Sequence, residues 1–226
     1  HDLEGGHPVY DRIASELECP YLAANAVDVT DGEAWFDRYA VMEKDGLRVA
    51  VIGFTNPNVK SWISKDKYEG LDFIPVDSLA ASLVREVRRR EKPDAVILAV
   101  HCGLGQEDVP SIENNALYLA AHVPGIDAVI AAHDHRQAAV KVMGADGDSV
   151  CVVESGSKAR AVSRLSISAV MKGGRAVSLD ITPSVADVSH MQPCDRYMEE
   201  FGQDWRTVYD FSNRTIGRLV SPLDLS

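Results

Sequence analysis

Residues 128–136 read AVIAAHDHR: five apolar side chains, then two histidines, His133 and His135, with one residue between them. An apolar run this short reads as a strand buried on both faces. If the chain stays extended just past the strand's end, residues two apart point to the same side. His133 and His135 then converge above the sheet edge, and a pair of neutral imidazoles is an ordinary start for a metal site. The plainer reading is a solvated loop that happens to hold two histidines.

Two further apolar runs end in the same manner. DAVILAV (94–100) stops directly at His101, and VIGFTNP (51–57) closes on polar residues. Ligands of open α/β sheets gather beyond the carboxyl ends of strands, so His101, His133 and His135 are expected to meet there although they lie far apart in sequence. His7, His122 and His190 lack this placement: His122 falls at a helix end and His190 in a loop.

The remaining pattern fills in an α/β chain. A short helix is expected over Val9–Leu17, with Tyr10, Ile13 and Leu17 on one face. PYLAANAVD (20–28) reads as a buried strand, and RYAVMEKDGLRVAVIGFTNP (38–57) as a hairpin turning at Lys-Asp-Gly. Val76–Arg90 is an amphipathic helix whose cationic REVRRR end suits the negative pole of the helix dipole. A second helix is expected near Ile112–His122. Then the rhythm changes to short strands, AVKVMG, VCVVESG, RLSISAV and RAVSLDIT, with KGG as a hairpin turn. Beyond Pro193, the residues Tyr197, Phe201, Trp205 and Val208 mark a last amphipathic helix, and NRTIGRLVSPLDLS (213–226) has linker character. Alternating strand and helix followed by antiparallel strands predicts an α/β sandwich with mixed sheets.

Composition narrows the function classes. A formal net charge of −11 argues against a general nucleic-acid surface. It also means that a phosphate-bearing substrate would need locally supplied positive charge, which bound metal can provide. No apolar run approaches the roughly 18 residues of a membrane span. Cys19, Cys102, Cys151 and Cys194 show no C-x-x-C pairing, so a zinc ribbon is disfavoured; disulfide pairing and free thiols both stay open. The chain opens HDLEGGHPVYDR, with neither initiator Met nor signal peptide. It reads as the interior of a longer protein, and targeting signals cannot be read from it.

These residues resemble the calcineurin-like metallophosphoesterases, in the branch of bacterial nucleotidases that holds 5'-nucleotidases and 2',3'-cyclic-nucleotide 2'-phosphodiesterase/3'-nucleotidases. HDLEGGHPVYDR (1–12) resembles the segment just after Gly-Asn in the family's Gly-Asn-His-Glu/Asp motif. HCGLG (101–105) is similar to its His-Ser-Gly segment, and AHDH (132–135) to its Gly-His-x-His motif. GFTNPNVKSW (53–62) and ENNALYLAAHVPGIDAVIAAHDH (113–135) lean toward the cyclic-phosphodiesterase branch, and FSNRTIGRL (211–219) resembles the junction toward a separate C-terminal nucleotide-binding domain.

The resemblance implies a metallophosphoesterase-type αββα sandwich over residues 1–190, incomplete at the N-terminus, with 191–226 a helix and linker. It implies two divalent ions, zinc, manganese or iron, with His101 and His133 on one and His135 on the other. His1 would be the catalytic histidine, acting electrostatically or as proton donor to the leaving oxygen, with Glu4 as its carboxylate partner. A carboxylate accepting from one imidazole nitrogen fixes the tautomer and favours the cation. The implied reaction is metal-assisted hydrolysis of nucleotides, in which a water attacks phosphorus in line with the leaving sugar oxygen. Localisation by resemblance is periplasmic or secreted, and no residue is assigned to substrate binding.

Two departures stand out: Ala132 replaces the usual Gly and Cys102 the usual Ser. Neither is a ligand, so both are expected to affect packing. The family's Asp-x-His, bridging Asp and Asn ligand would lie upstream of His1. The chain alone is therefore expected to hydrolyse nucleotides poorly, as an incomplete copy of an active enzyme. Two rival readings are a mononuclear zinc hydrolase built on the three histidines and a non-catalytic binding or structural fragment.

Overall fold

The computed structural model describes residues 2–218. A 3-10 turn, Asp2–Gly5, leads into α1 (His7–Glu16). Tyr10 of α1 is fully buried in a small cluster with Leu3, Val59 and Phe73. Leu17 does not join that face: it lies past the helix end in extended conformation and is exposed.

The expected strand over residues 20–28 shrinks to β1 (Ala26–Asp28). Upstream of it the backbone bonds separate neighbours one at a time, Ala23 N–H to the Asp37 carbonyl and Ala24 N–H to that of Gly53, and so makes no continuous ladder. Asn25, fully buried, serves as the staple. Its amide donates to the carbonyls of Thr55 and Ile74, both at 3.0 Å, and its oxygen accepts from Thr55 N–H.

The hairpin is β2 (Tyr39–Lys44) and β3 (Leu47–Phe54), joined at Asp45 and Gly46, both with positive φ. That two-residue turn matches the right-handed twist of its strands. There follow β4 (Leu71–Phe73), antiparallel to β1, then α2 (Val76–Glu91), β5 (Ala95–Val100), α3 (Ala116–His122) and β6 (Ala128–Ala131). The chain continues through β7 (Gln137–Met143), β8 (Ser149–Ser155), β9 (Ala161–Lys172), β10 (Arg175–Asp187) and α4 (Asp195–Ser212).

A six-stranded mixed sheet runs β2-β3-β5-β6-β8-β7. Its four central strands are parallel, and the edge strands β2 and β7 are antiparallel to their neighbours. Helices α2 and α3 cover one face, where Leu83, Val87 and Leu119 pack on Ile52, Leu98 and Val129. The long β9–β10 hairpin covers the other, with Ile181 and Leu165 against Ile97 and Cys151. Alternating burial along β9 is the period-two signature of a strand wet on one side. Helix, sheet and sheet are thus stacked in the αββ order of a mixed α/β sandwich.

Arg88 locks the end of α2 to this sheet. Its guanidinium donates to the Gly125 carbonyl at 2.8 Å and meets the Asp127 carboxylate at 2.5 Å, while the same carboxylate oxygen accepts from Val96 N–H. The chain divides into two compact units, 1–189 and 190–226. The second holds α4, on which Tyr197, Phe201, Trp205 and Val208 are exposed. All four cysteines are free thiols, Cys102 and Cys151 buried. No described helix is long and apolar enough to cross a membrane.

Candidate active site

Parallel register brings the strand ends into one row. Phe54 of β3 pairs with Val100 of β5, Val100 with Ala131 of β6, and Ala131 with Glu154 of β8. Just beyond this row come Asn56, His101 and His133. Asn56 is fully buried and joins the first two ends: its amide donates to the His101 carbonyl at 3.0 Å and to the Glu113 carbonyl at 3.3 Å. Its oxygen accepts from Asn58 N–H and so caps the 3-10 turn Pro57–Ser61.

The rings of His101 and His133 approach edge to face, with centroids 5.3 Å apart. Trp62 stacks on His133 at 4.9 Å and 13°. Glu113 gathers the group. Asn58 and Trp62 both donate to its Oε1, and its Oε2 lies 3.6 Å from His133 Nε2. The Asn58 amide, with His133 and Trp62, holds the Glu113 carboxyl below the usual range, against the opposing effect of desolvation.

Glu113 lies outside the helix because residues 111–115 are pulled away from helical pairing. Ser111 Oγ accepts from the N–H groups of Glu113 and Asn114, and Gly103 N–H donates to the Glu113 carbonyl. The helix expected from Ile112 therefore starts only at Ala116. The HCGLG loop can lie this close because of its glycines. A Cβ on Gly103 would fall 2.7 Å from Asp134 Cγ, and one on Gly105, where φ is +67°, would meet the Asn114 carbonyl.

Past β6 the chain bends at His133 and Asp134 instead of staying extended. His133 and His135 have φ of 123° and 62°, rare for residues with a side chain. The bend is pinned through Asp134, whose carboxylate accepts from Leu104 N–H at 3.1 Å and Arg136 N–H at 3.3 Å. As a result the geometry assumed for the His-x-His pair fails: His133 turns inward and His135 is exposed. Strained backbone of this kind persists where surrounding structure enforces it, and it clusters at ligand sites.

Behind the bend, Glu154 is 1% exposed. It sits beside Asp134 and the amides of His135 and Arg136, yet neither carboxyl oxygen reaches hydrogen-bond geometry among the described residues. Burial first, and Asp134 second, push its carboxyl up to about 8. Cys102 is a buried core thiol, pushed up to about 12 by the same desolvation.

Of the residues expected at the site, His101 and His133 are brought together and His135 is not. Glu4 lies in the Asp2–Gly5 turn, and His1 lies outside the described residues. No cluster of three or more His, Cys, Asp or Glu side chains fit to hold a metal occurs among the described residues. The donor chemistry of the pair nonetheless fits a zinc- or manganese-class ion: two imidazoles from neighbouring strand ends, one with a carboxylate 3.6 Å from its Nε2. Asn56, Trp62, Glu113 and Glu154 were not anticipated as site residues. The available signals were the polar TNP after an apolar strand and the ENN run before α3, and neither announces a contact with histidine.

The sequence pattern of the family described as "Bacterial capsule synthesis protein PGA_cap" matches residues 32–152, more than half of the chain. A 2',3'-cyclic-nucleotide 2'-phosphodiesterase/3'-nucleotidase of Yersinia enterocolitica is 28% identical over 146 residues, covering 60% of this chain and 22% of that protein. A 5'-nucleotidase of Vibrio cholerae is 26% identical over 139 residues, covering 60% and 25%. The chain thus spans about a quarter or less of the length of these curated relatives. Among solved structures, the calcineurin-like phosphoesterase YfkN of Bacillus subtilis superposes with a TM-score of 0.76 at 19% identity, over 92% of this chain and 68% of that one. The mixed α/β fold is therefore that of the calcineurin-like phosphoesterases.

Proposed function

The chain belongs to the family described as bacterial capsule synthesis protein PGA_cap and has the calcineurin-like phosphoesterase fold, and on that premise we propose that it is part of a divalent-metal-dependent phosphoester hydrolase acting on nucleotides. The substrates are those of its relatives, a 5'-nucleotide or a 2',3'-cyclic nucleotide with its 3'-product. The observation that carries the reading is the meeting of His101 and His133, 5.3 Å apart, beyond the carboxyl ends of adjacent parallel strands.

His101 and His133 would hold one divalent ion, and His135 would serve a second. When bound, such ions polarise phosphoryl oxygens and make a water nucleophilic at neutral pH. The protein's own residues position and shield. Asn56 fixes the His101 backbone, Trp62 covers one face of His133, Gly103 lets the HCGLG loop close on Asp134, and Gly105 lets it close on Asn114. His1, supported by Glu4, would hold the proton given to the leaving oxygen. With a net charge of −11, the surface would repel a phosphate, so the cations also bring the substrate in. A C-terminal nucleotide-binding domain of the same protein would supply base contacts, in a periplasmic or secreted setting.

The test is turnover of 2',3'-cyclic AMP, 3'-AMP and 5'-AMP by the natural-length protein with manganese or zinc. Activity should vanish on chelation, return with metal and be lost in His133→Ala. Turnover indifferent to chelation, or none on any of the three substrates with metal present, would refute the reading.

A further inference from the structure

Glu113 stands out because so many segments converge on one side chain. Its carbonyl accepts from the Asn56 amide and from Gly103 N–H, which anchors the residue to the ends of β3 and β5. Its Oε1 is taken by Asn58 and by the Trp62 indole at 3.3 Å. Only Oε2 then faces His133, 3.6 Å from Nε2. We propose that Glu113 is a positioning residue that sets the tautomer and in-plane rotation of His133, keeping the hydrogen on Nε2 and leaving Nδ1 to face the ion. This role rests on the metal-dependent reading above.

The donor and acceptor capacity of each group dictates this assignment. A carboxylate only accepts, so a neutral imidazole whose Nε2 faces one is favoured with its hydrogen there. The other nitrogen is then bare, the state a metal needs. Imidazole ligands generally donate their second N–H to such an outer partner, which fixes the ring and raises its basicity. The present 3.6 Å exceeds a hydrogen bond by a few tenths of an ångström, a gap that a small ring rotation closes. Ring plane and ring rotation are governed separately. Trp62, stacked at 13°, holds the plane, and the Asn58 and Trp62 donors hold the carboxylate that governs rotation.

A brace for residues 56–62 would need the same carboxylate but would not care which nitrogen of His133 carries the hydrogen. Glu113→Gln separates the two roles. The amide oxygen still accepts from Asn58 and Trp62, while the amide nitrogen now donates toward His133 Nε2 and drives the hydrogen to Nδ1. Long-range proton–nitrogen correlation on histidine-labelled protein, at mildly alkaline pH and without metal, should show the Nε2–H form in the wild type and the Nδ1–H form in E113Q. Zinc or manganese affinity, by calorimetry on the same proteins, should fall about 10- to 100-fold in E113Q, with the metal-free melting temperature unchanged. Trp62→Phe keeps an aromatic stack, lacks the indole donor, and should keep the Nε2–H form. An Nδ1–H wild type, or an E113Q with unaltered tautomer and affinity, would overturn the positioning role alone. A wild type that binds neither metal would overturn the functional reading and this role with it.

Discussion

The side-chain amide of Asn56 donates to the backbone carbonyl of His101 at 3.0 Å, tying the end of one parallel strand to the first residue beyond the next. A fully buried amide making three such bonds acts as a structural rivet. Asn56→Ala takes this partner from the His101 carbonyl and from Asn58 N–H, while the Glu113 carbonyl keeps its bond from Gly103 N–H. It should lower unfolding free energy by about 2–3 kcal/mol, since each buried group left unmatched costs about 1–3 kcal/mol and neighbours relax in part. Asn56→Asp keeps the cap but sets a buried carboxyl against two carbonyl oxygens, and should lose at least as much. Urea unfolding of the three proteins checks this, and a loss below about 0.5 kcal/mol for the alanine variant would show that the strand ends hold without it.

Arg88 and Asp127 form the second rivet, at the opposite end of the strands. Both side chains are under a third exposed, so removing the guanidinium strands a partly buried carboxylate. Arg88→Ala should destabilise by about 2 kcal/mol or more, below the full penalty of a wholly buried pair. Asp127→Asn should lose less, because its amide oxygen still accepts from Val96 N–H. A double-mutant cycle should return a coupling of about 1 kcal/mol or more; additive losses would mean that the two side chains act independently.

Glu154 gives stability a pH slope. Its folded pKa, about 8, lies above the unfolded 4.5, so the folded state holds a proton the unfolded state has lost. That stabilisation is full below about 4.5 and is lost as pH rises toward 8. Glu154→Gln, unable to ionise, should remove this part of the slope and gain on the wild type by a few kcal/mol near the alkaline end. Melting temperatures across that window test the sign; parallel curves for the two proteins would refute it.

Gly105→Ala should be damaging for two reasons at once, a φ of +67° and a carbonyl of Asn114 where the methyl would go. The strain alone is worth about 1–3 kcal/mol. Because Asn114 adjoins Glu113, zinc affinity should also be lower on the metal-dependent reading proposed above. An alanine variant with normal melting and normal zinc affinity would show that the loop yields freely.

Sequence patterning found the sheet well because its signals are local. Apolar runs mark β5, β6 and β8, and Asp-Gly marks the β2–β3 turn. It failed where side chains take over from the backbone. Asn25 replaces a strand ladder over 22–25, and Ser111 with Gly103 unwinds the start of α3; polar bonds to distant partners leave no periodicity to read. The site divides in the same way. His101 and His133 were legible because each follows a buried strand. The exposed placement of His135 was not legible because Asp134, bonded to Leu104 thirty residues away, bends a segment that looks extended by itself. Glu113 was invisible, since nothing near it in sequence says that Asn58, Trp62 and His133 surround it.

The in-register row Phe54–Val100–Ala131–Glu154 makes the sheet a ruler. Adjacent strands repeat at about 4.8 Å, and the two imidazoles just past Val100 and Ala131 stand 5.3 Å apart, close to one graduation. The ladder thus brings the two strand ends within reach of each other, and the bend pinned by Asp134 sets the last step to His133. Segments between the strands can lengthen or diverge where they leave Trp62, Leu104 and Glu113 in place. A single residue inserted within β5 would instead turn His101 to the far side of the sheet, beyond the reach of any compensating loop.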